Sequence, residues 1–155
     1  MQLNKPLVLM TLAFLAVITA CHSTKDGGSA NFASITVTNR ERDEIRRTAE
    51  QVFLADGYRI FSSTAGEMVF EKEASRMNQL AYGGLISTQE SGVTTWIRVK
   101  GLIADLGDGV LRLQCQAYVV SHHGDSFFEE EKRVASFRSG PYQELLNQVK
   151  TRLMK

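Results

Sequence analysis

The chain has 155 residues and a mass of 17.3 kDa, and 43% of its residues are apolar and 23% charged. These values are typical of one globular domain and exclude an intrinsically disordered chain. Lysine and arginine number 18 against 17 acidic residues. Because positive and negative charges nearly balance, a strongly basic nucleic-acid-binding protein and an acidic tail are both disfavoured.

An apolar segment lies near the start of the chain. It spans residues 7–18 behind Lys5 and is interrupted only by Thr11. As a helix, a segment of this length rises about 18 Å, whereas the hydrocarbon core of a bilayer is roughly 30 Å thick. The segment is therefore predicted to be a cleaved export signal that does not join the folded domain.

The apolar segment ends in residues 18–21, Ile-Thr-Ala-Cys. An aliphatic residue and two small residues before a cysteine resemble the lipobox of bacterial lipoproteins, and the resemblance covers residues 1–21 only. It implies removal of residues 1–20 and attachment of diacylglyceryl and fatty acyl groups, such as palmitate, to Cys21. Two or three acyl chains anchor a protein to a membrane effectively permanently. The alternative is an ordinary secretory signal sequence, or a buried cysteine in an apolar helix.

The resemblance also implies a location. His22 follows the cysteine, whereas an aspartate at this position favours the inner membrane in enterobacterial sorting. We therefore expect an outer-membrane lipoprotein that faces the periplasm. Removal of Lys5 with the signal would leave 17 basic against 17 acidic side chains.

Three segments are predicted on this basis. Residues 1–20 form the signal, residues 21–34 form a polar tether rich in glycine and serine, and residues 35–155 form a single domain. Because lipidation would consume Cys21, Cys115 would have no partner for an intramolecular disulfide.

Two amphipathic helices are predicted, one near each end of the domain. The first begins at residues 38–41, Thr-Asn-Arg-Glu, which match the capping-box pattern, and it ends before Gly57. The second begins at Pro141. Their apolar stripes comprise Ile45, Ala49, Val52 and Phe53 in the first helix and Tyr142, Leu145, Leu146, Val149 and Leu153 in the second.

Alternating apolar and polar residues predict strands between the helices. A hairpin is expected over residues 58–61 and 68–71, two longer strands over 93–105 and 110–122, and a last strand over 132–138. Residues 74–82 are consistent with either a short helix or an irregular crossing.

The two longer strands each place apolar side chains at alternate positions, so that one face is buried. These inward residues are Ile97, Val99 and Ile103 in the first strand and Leu111, Leu113, Cys115, Ala117 and Val119 in the second. The two sets share a face only if the connecting loop has an odd number of residues. A bulge at Gly107 or Gly109 would supply the extra residue.

Together these elements predict an α+β domain. It is a two-layer sandwich in which an antiparallel sheet of four to five strands carries two helices on one face. The reason is that the apolar stripes of both helices must pack against an apolar face of the sheet. The other face of the sheet would then be open to solvent.

Catalytic sites have little support in the sequence, and no cofactor is predicted. His122, His123, Asp125 and residues 129–131 could supply metal ligands, but adjacent strand residues point to opposite sides and no HExxH spacing is present, which favours a solvated acidic loop. Cys115 alternates with core positions, which favours a small core residue over a nucleophile.

The candidate binding site is the outward face of the two longer strands. It carries tryptophan, tyrosine and arginine, the residue types most enriched at the energetic centres of interfaces. The predicted partner-binding residues are Trp96, Arg98, Lys100, Arg112, Gln114 and Tyr118. The alternative is a solvated sheet whose Trp96 packs against the tether or residues 82–90. Near-zero charge and the expected location argue against nucleic acid.

We therefore expect a lipid-anchored envelope protein, without enzymatic activity, that binds another envelope protein through its open sheet face. Small accessory lipoproteins of outer-membrane assembly machinery have a loosely similar layout, and no motif in the mature domain identifies a family. Two alternatives are a module that binds a small or lipidic ligand between helices and sheet, and a metal-dependent hydrolase at residues 122–131.

Overall fold

Two helices and six strands make up the part of the chain that the structure describes. This computed structural model describes residues 32–74 and 95–155. In chain order the elements are β1 (Ala33–Thr38), α1 (Arg42–Ala55), β2 (Arg59–Ser63), β3 (Glu67–Glu73), β4 (Trp96–Asp105), β5 (Val110–Ser121), β6 (Glu130–Arg133) and α2 (Gly140–Leu153), with one 3-10 turn at Ser136–Arg138. Neither of these two helices has the length and apolar character needed to cross a bilayer.

The strands form one antiparallel sheet with the spatial order β1-β5-β4-β3-β2. The sixth strand shares an edge of β5 with β1, because β1 pairs with residues 110–115 and β6 with residues 118–121. The predicted α+β fold with an antiparallel sheet and two helices is confirmed. The sheet has six strands in the described residues because β1 joins it.

The sequence analysis does not predict β1. Ala33, Ile35 and Val37 are buried and alternate with more exposed residues. Ser34 exchanges two hydrogen bonds of 3.0 Å with the side chain of Gln143 on α2. The sheet therefore starts inside the segment assigned to the tether, and earlier than the predicted domain boundary at residue 35. The rest of that tether and the signal segment lie outside the described residues.

The start of α1 differs from the predicted capping box. The N-cap residue is Glu41, its side chain makes no capping hydrogen bond, and the helix begins at Arg42. Thr38 instead ends β1 opposite Val110, and Asn39 turns the chain with a φ of 54°. The capping prediction is wrong because the sheet engages Thr38.

Both helices cover the same face of the sheet. The predicted apolar stripe of each helix is buried. These residues form one cluster with the inward residues of β4 and β5. The rings of Phe53 on α1 and Phe70 on β3 stack with their centroids 4.3 Å apart, so large side chains fill the space between this helix and the sheet.

The β4–β5 turn has the predicted odd length. Asp105 pairs with Leu111, which leaves the five residues 106–110 between them. Gly107, Asp108 and Gly109 have φ values of 88°, 52° and 71°. This left-handed segment lets the chain reverse while the inward residues of both strands remain on the helix side.

The last strand starts earlier and ends earlier than the predicted 132–138. The Val134 N–H still donates to the Ala117 carbonyl at 2.9 Å. Beyond that point Ala33 of β1 occupies the same edge of β5, opposite Cys115. The chain therefore leaves the sheet and forms the 3-10 turn. Apart from Ala74, the ambiguous residues 74–82 lie outside the described residues.

Candidate functional site

The sheet face opposite the helices carries the predicted partner-binding residues, and we call it the outer face. Strand alternation and the β4–β5 register place all six predicted side chains on it. They are Trp96, Arg98 and Lys100 of β4 and Arg112, Gln114 and Tyr118 of β5. The structure thus brings the predicted residues to one surface, although they differ greatly in exposure.

Neighbouring strands add charged residues that are not among the six predicted partner-binding residues. Glu71 of β3 lies opposite Arg98, Arg59 of β2 lies opposite Glu71, and Glu131 of β6 lies opposite Val120. A local signal for Glu71 exists, because it follows the inward-facing Phe70 and so belongs on the other face. Its partners come from strands whose order local patterns do not reveal.

Glu71 and Arg98 form a buried ion pair at the centre of the outer face. Glu71 is 0% exposed and Arg98 is 8% exposed. Arg98 donates to Glu71 Oε1 from Nε at 2.8 Å, and its Nη2 lies 2.6 Å from the same oxygen. Little of the Arg98 side chain is therefore accessible to solvent, and its partner-binding role stays a prediction.

Two further carboxylates approach the same guanidinium. Arg98 Nη1 lies 2.7 Å from Glu129 Oε1 and 2.6 Å from Glu131 Oε1. Lys100 Nζ lies 2.6 Å from Glu131 Oε2 and 4.7 Å from the centroid of the Tyr118 ring. Together with Arg59, these side chains form a cluster of three cations and three carboxylates that links β2, β3, β4 and β6.

The electrostatic effect of this cluster is mutual. Burial would raise the pKa of Glu71, but hydrogen bonds from Arg59, Arg98 and His123 outweigh burial and hold that pKa below its ordinary value. Burial would lower the pKa of Arg98, but hydrogen bonds to the three carboxylates raise it above its ordinary value. These groups are therefore charged at neutral pH.

Trp96 contacts two polar neighbours, which also lie close to each other. Its ring stacks on the His123 ring at a centroid distance of 4.4 Å, with 22° between the planes. The Arg59 guanidinium carbon lies 4.2 Å from the Trp96 ring centroid. His123 Nε2 and Arg59 Nη2 also lie 3.0 Å and 2.9 Å from Glu71 Oε2. Trp96 thus packs on residues of the outer face and of the β5–β6 loop. The tether before residue 32 and residues 82–90, against which the alternative places Trp96, lie outside the described residues.

The loop between β5 and β6 folds back over one end of the outer face. It turns through His122 and Gly124, which have φ values of 52° and 86°. His123 then reaches Glu71, and Glu129 reaches Arg98. The outer face is therefore partly covered by its own chain at this end.

A cleft remains between this loop and β2. It has a volume of about 400 Å³, and its lining includes Phe61, Arg98, His123, Asp125 and Glu129. Phe61 is 60% exposed and lies under the guanidinium of Arg98, whose carbon is 5.1 Å from the ring centroid. The cleft and the exposed side chains of Lys100 and Leu102 belong to the accessible part of the outer face.

The other candidate sites have different roles in the structure. No group of three or more His, Cys, Asp or Glu side chains within residues 32–74 and 95–155 is placed to hold a metal ion. His123, which was considered as a ligand, is bound to Glu71 at 3.0 Å. Cys115 is 5% exposed in the core, and burial raises the pKa of its thiol to about 12. A thiol in this state is a poor nucleophile.

Comparison with known proteins assigns no family to this architecture. The chain matches no protein-family model, and no curated protein is significantly similar to it in sequence.

Proposed function

We propose that this protein is a lipid-anchored component of the bacterial envelope, attached through Cys21 to the outer membrane and facing the periplasm. Its role is to bind another envelope protein through the outer face, without catalysing a reaction. The lipobox-like sequence supports the anchor, and the outer face supports the binding role.

The observation that carries the binding role is the cluster around Glu71 and Arg98. Removing ionised groups from water is costly, and a buried ion pair is often no more stabilising than an apolar pair of similar volume. Here the cluster lies on the sheet face that no described helix covers, and it holds Arg59, Trp96 and Lys100 in defined positions. Such a preorganised polar and aromatic surface suits protein recognition, because few side chains must be ordered on binding.

The alternative ligand-binding role has less support in the geometry. It requires space between helices and sheet, where Phe53 and Phe70 stack closely. Two clefts that described residues line are on the outer face and beside β6. Recognition through the outer face therefore agrees better with the packing.

Site-directed photo-crosslinking in the native envelope tests the binding role. A photoreactive residue would replace Lys100, Leu102 or Arg112 on the outer face, and Arg47 or Gln51 on the exposed side of α1 as matched controls. We expect one discrete adduct from the outer-face positions only. No adduct, or the same adducts from α1, would contradict the proposal.

The two cysteines provide a matched test of the anchor. Cys21→Ala should abolish both the incorporation of labelled palmitate and the removal of residues 1–20, whereas Cys115→Ala should affect neither. Retention of the label in Cys21→Ala would show that the lipidation proposal is wrong.

A further inference from the structure

Two adjacent phenylalanines project from the loop between β5 and β6. Phe127 is 91% exposed and Phe128 is 68% exposed. Neither ring belongs to the hydrophobic core cluster. Single exposed apolar residues are ordinary, but two neighbouring aromatic rings on one turn form a compact apolar projection. We call these two residues the tip.

The tip is held by hydrogen bonds inside its own loop. Asp125 Oδ1 accepts the N–H groups of Phe127 at 2.9 Å and Phe128 at 3.2 Å. The Glu129 N–H donates to the Asp125 carbonyl at 2.9 Å, and the Gly124 N–H donates to Glu129 Oε2 at 2.9 Å. The tip can therefore enter an apolar environment without leaving these backbone donors unpaired.

The tip adjoins the outer face. Gly124, Asp125 and Glu129 of its loop line the same cleft as Phe61 and Arg98. Glu129 also anchors the loop to Arg98 at 2.7 Å. A partner seated on the outer face would therefore reach the tip without any movement of the described backbone.

The charges around the tip distinguish between possible partners. Asp125 and Glu129 belong to the same loop, Glu130 begins β6, and within the described residues only Glu129 of these three takes part in an ion pair. Two uncompensated carboxylates disfavour insertion into a membrane with anionic lipids. They favour a protein surface that carries cations near an apolar pocket.

We propose that Phe127 and Phe128 insert into an apolar pocket of the partner protein, and that lysine or arginine side chains of the partner border this pocket. This inference rests on the proposed binding role of the outer face and specifies the chemistry of the partner.

The test uses the photo-crosslink from Lys100 as its readout in the native envelope. Phe127→Ser with Phe128→Ser should lower the adduct yield at least tenfold, while Phe137→Ser, at a residue that is 81% exposed elsewhere, should leave it unchanged. Asp125→Asn with Glu130→Gln keeps the Oδ1 acceptor and removes two charges. It should lower the yield several-fold at low salt and less at high salt.

A photoreactive residue in place of Phe128 locates the pocket. The adduct should map to apolar residues of the same partner with lysine or arginine beside them. Mapping to a surface without these features would overturn the inference. Membrane binding by the tip would also overturn it. In that case the full chain carrying Cys21→Ser would bind vesicles of phosphatidylethanolamine and phosphatidylglycerol, and the two serine substitutions would abolish this binding.

The outcomes separate the two proposals. If the protein with an unchanged tip and a photoreactive residue in place of Lys100 gives no adduct, both the binding role and the tip inference fail. If it gives an adduct whose yield is the same in the tip variant, the binding role stands and the tip inference fails.

Discussion

Glu71 and Arg98 face each other across β3 and β4, and the arginine approaches one oxygen of a fully buried carboxylate with two nitrogens, at 2.6 and 2.8 Å. The other oxygen of Glu71 accepts from Arg59 and is within hydrogen-bond distance of His123. This pair links three strands to the β5–β6 loop, and it makes the outer face sensitive to single substitutions.

Removal of Arg98 should strongly destabilise the domain. Arg98→Met leaves the buried Glu71 without its closest cation, and breaking a buried pair in this way costs about 3–5 kcal/mol. The free energy of unfolding in urea measures the effect. Arg47→Met on the exposed side of α1 is the matched control and should cost less than about 1 kcal/mol. A loss below about 1 kcal/mol for Arg98→Met would contradict the structural role of the pair.

The stability of the domain should fall in acid. Glu71, Glu129 and Glu131 have pKa values below the ordinary 4.5 in the folded state. The unfolded chain therefore binds more protons in this range, and stability rises with pH there. The contribution is complete above about pH 4.5 and is lost as the pH falls through the lower folded-state values. Glu71→Gln should give a shallower slope in urea unfolding measured between pH 7 and 3, and an unchanged slope would refute this assignment.

Trp96 should report directly on the stacking by His123. It is the single tryptophan of the chain, so its fluorescence needs no deconvolution. His123→Ala should increase quenching by acrylamide and lower stability by about 1 kcal/mol, through loss of the ring contact and of the hydrogen bond to Glu71. The neighbouring His122 is exposed, and His122→Ala should change neither quantity. Equal effects of the two substitutions would be inconsistent with the observed stack.

Cys115 should be unreactive until the domain unfolds. In the full chain carrying Cys21→Ser, it is the remaining thiol, because the sequence has two cysteines. Burial and a pKa of about 12 keep it protonated and inaccessible. Ellman's reagent should react slowly in native buffer and within seconds in concentrated urea. Rapid reaction in native buffer would mean that the core around β5 opens readily.

Local patterns in the sequence predicted the elements that pack by a regular period. The stripe from Ile45 to Phe53 and the stripe from Tyr142 to Leu153 are buried as expected. The alternation in β4 and β5 required an odd connection, and the pairing of Asp105 with Leu111 has one. These features follow from spacing along the chain, because an apolar face needs only its own period to be recognised.

Only the tertiary structure shows which strands are neighbours. The short β1 is recognisable through its pairing with β5, which is distant in sequence. Arg98 was identified as an outward residue, but its burial depends on Glu71 of β3, on Glu129 just before β6 and on Glu131 within β6. Long-range pairing sets these contacts, and a local period contains no information about what lies across a strand. The sequence therefore identified the residues of the outer face, and the fold decided which of their side chains are buried and which are exposed.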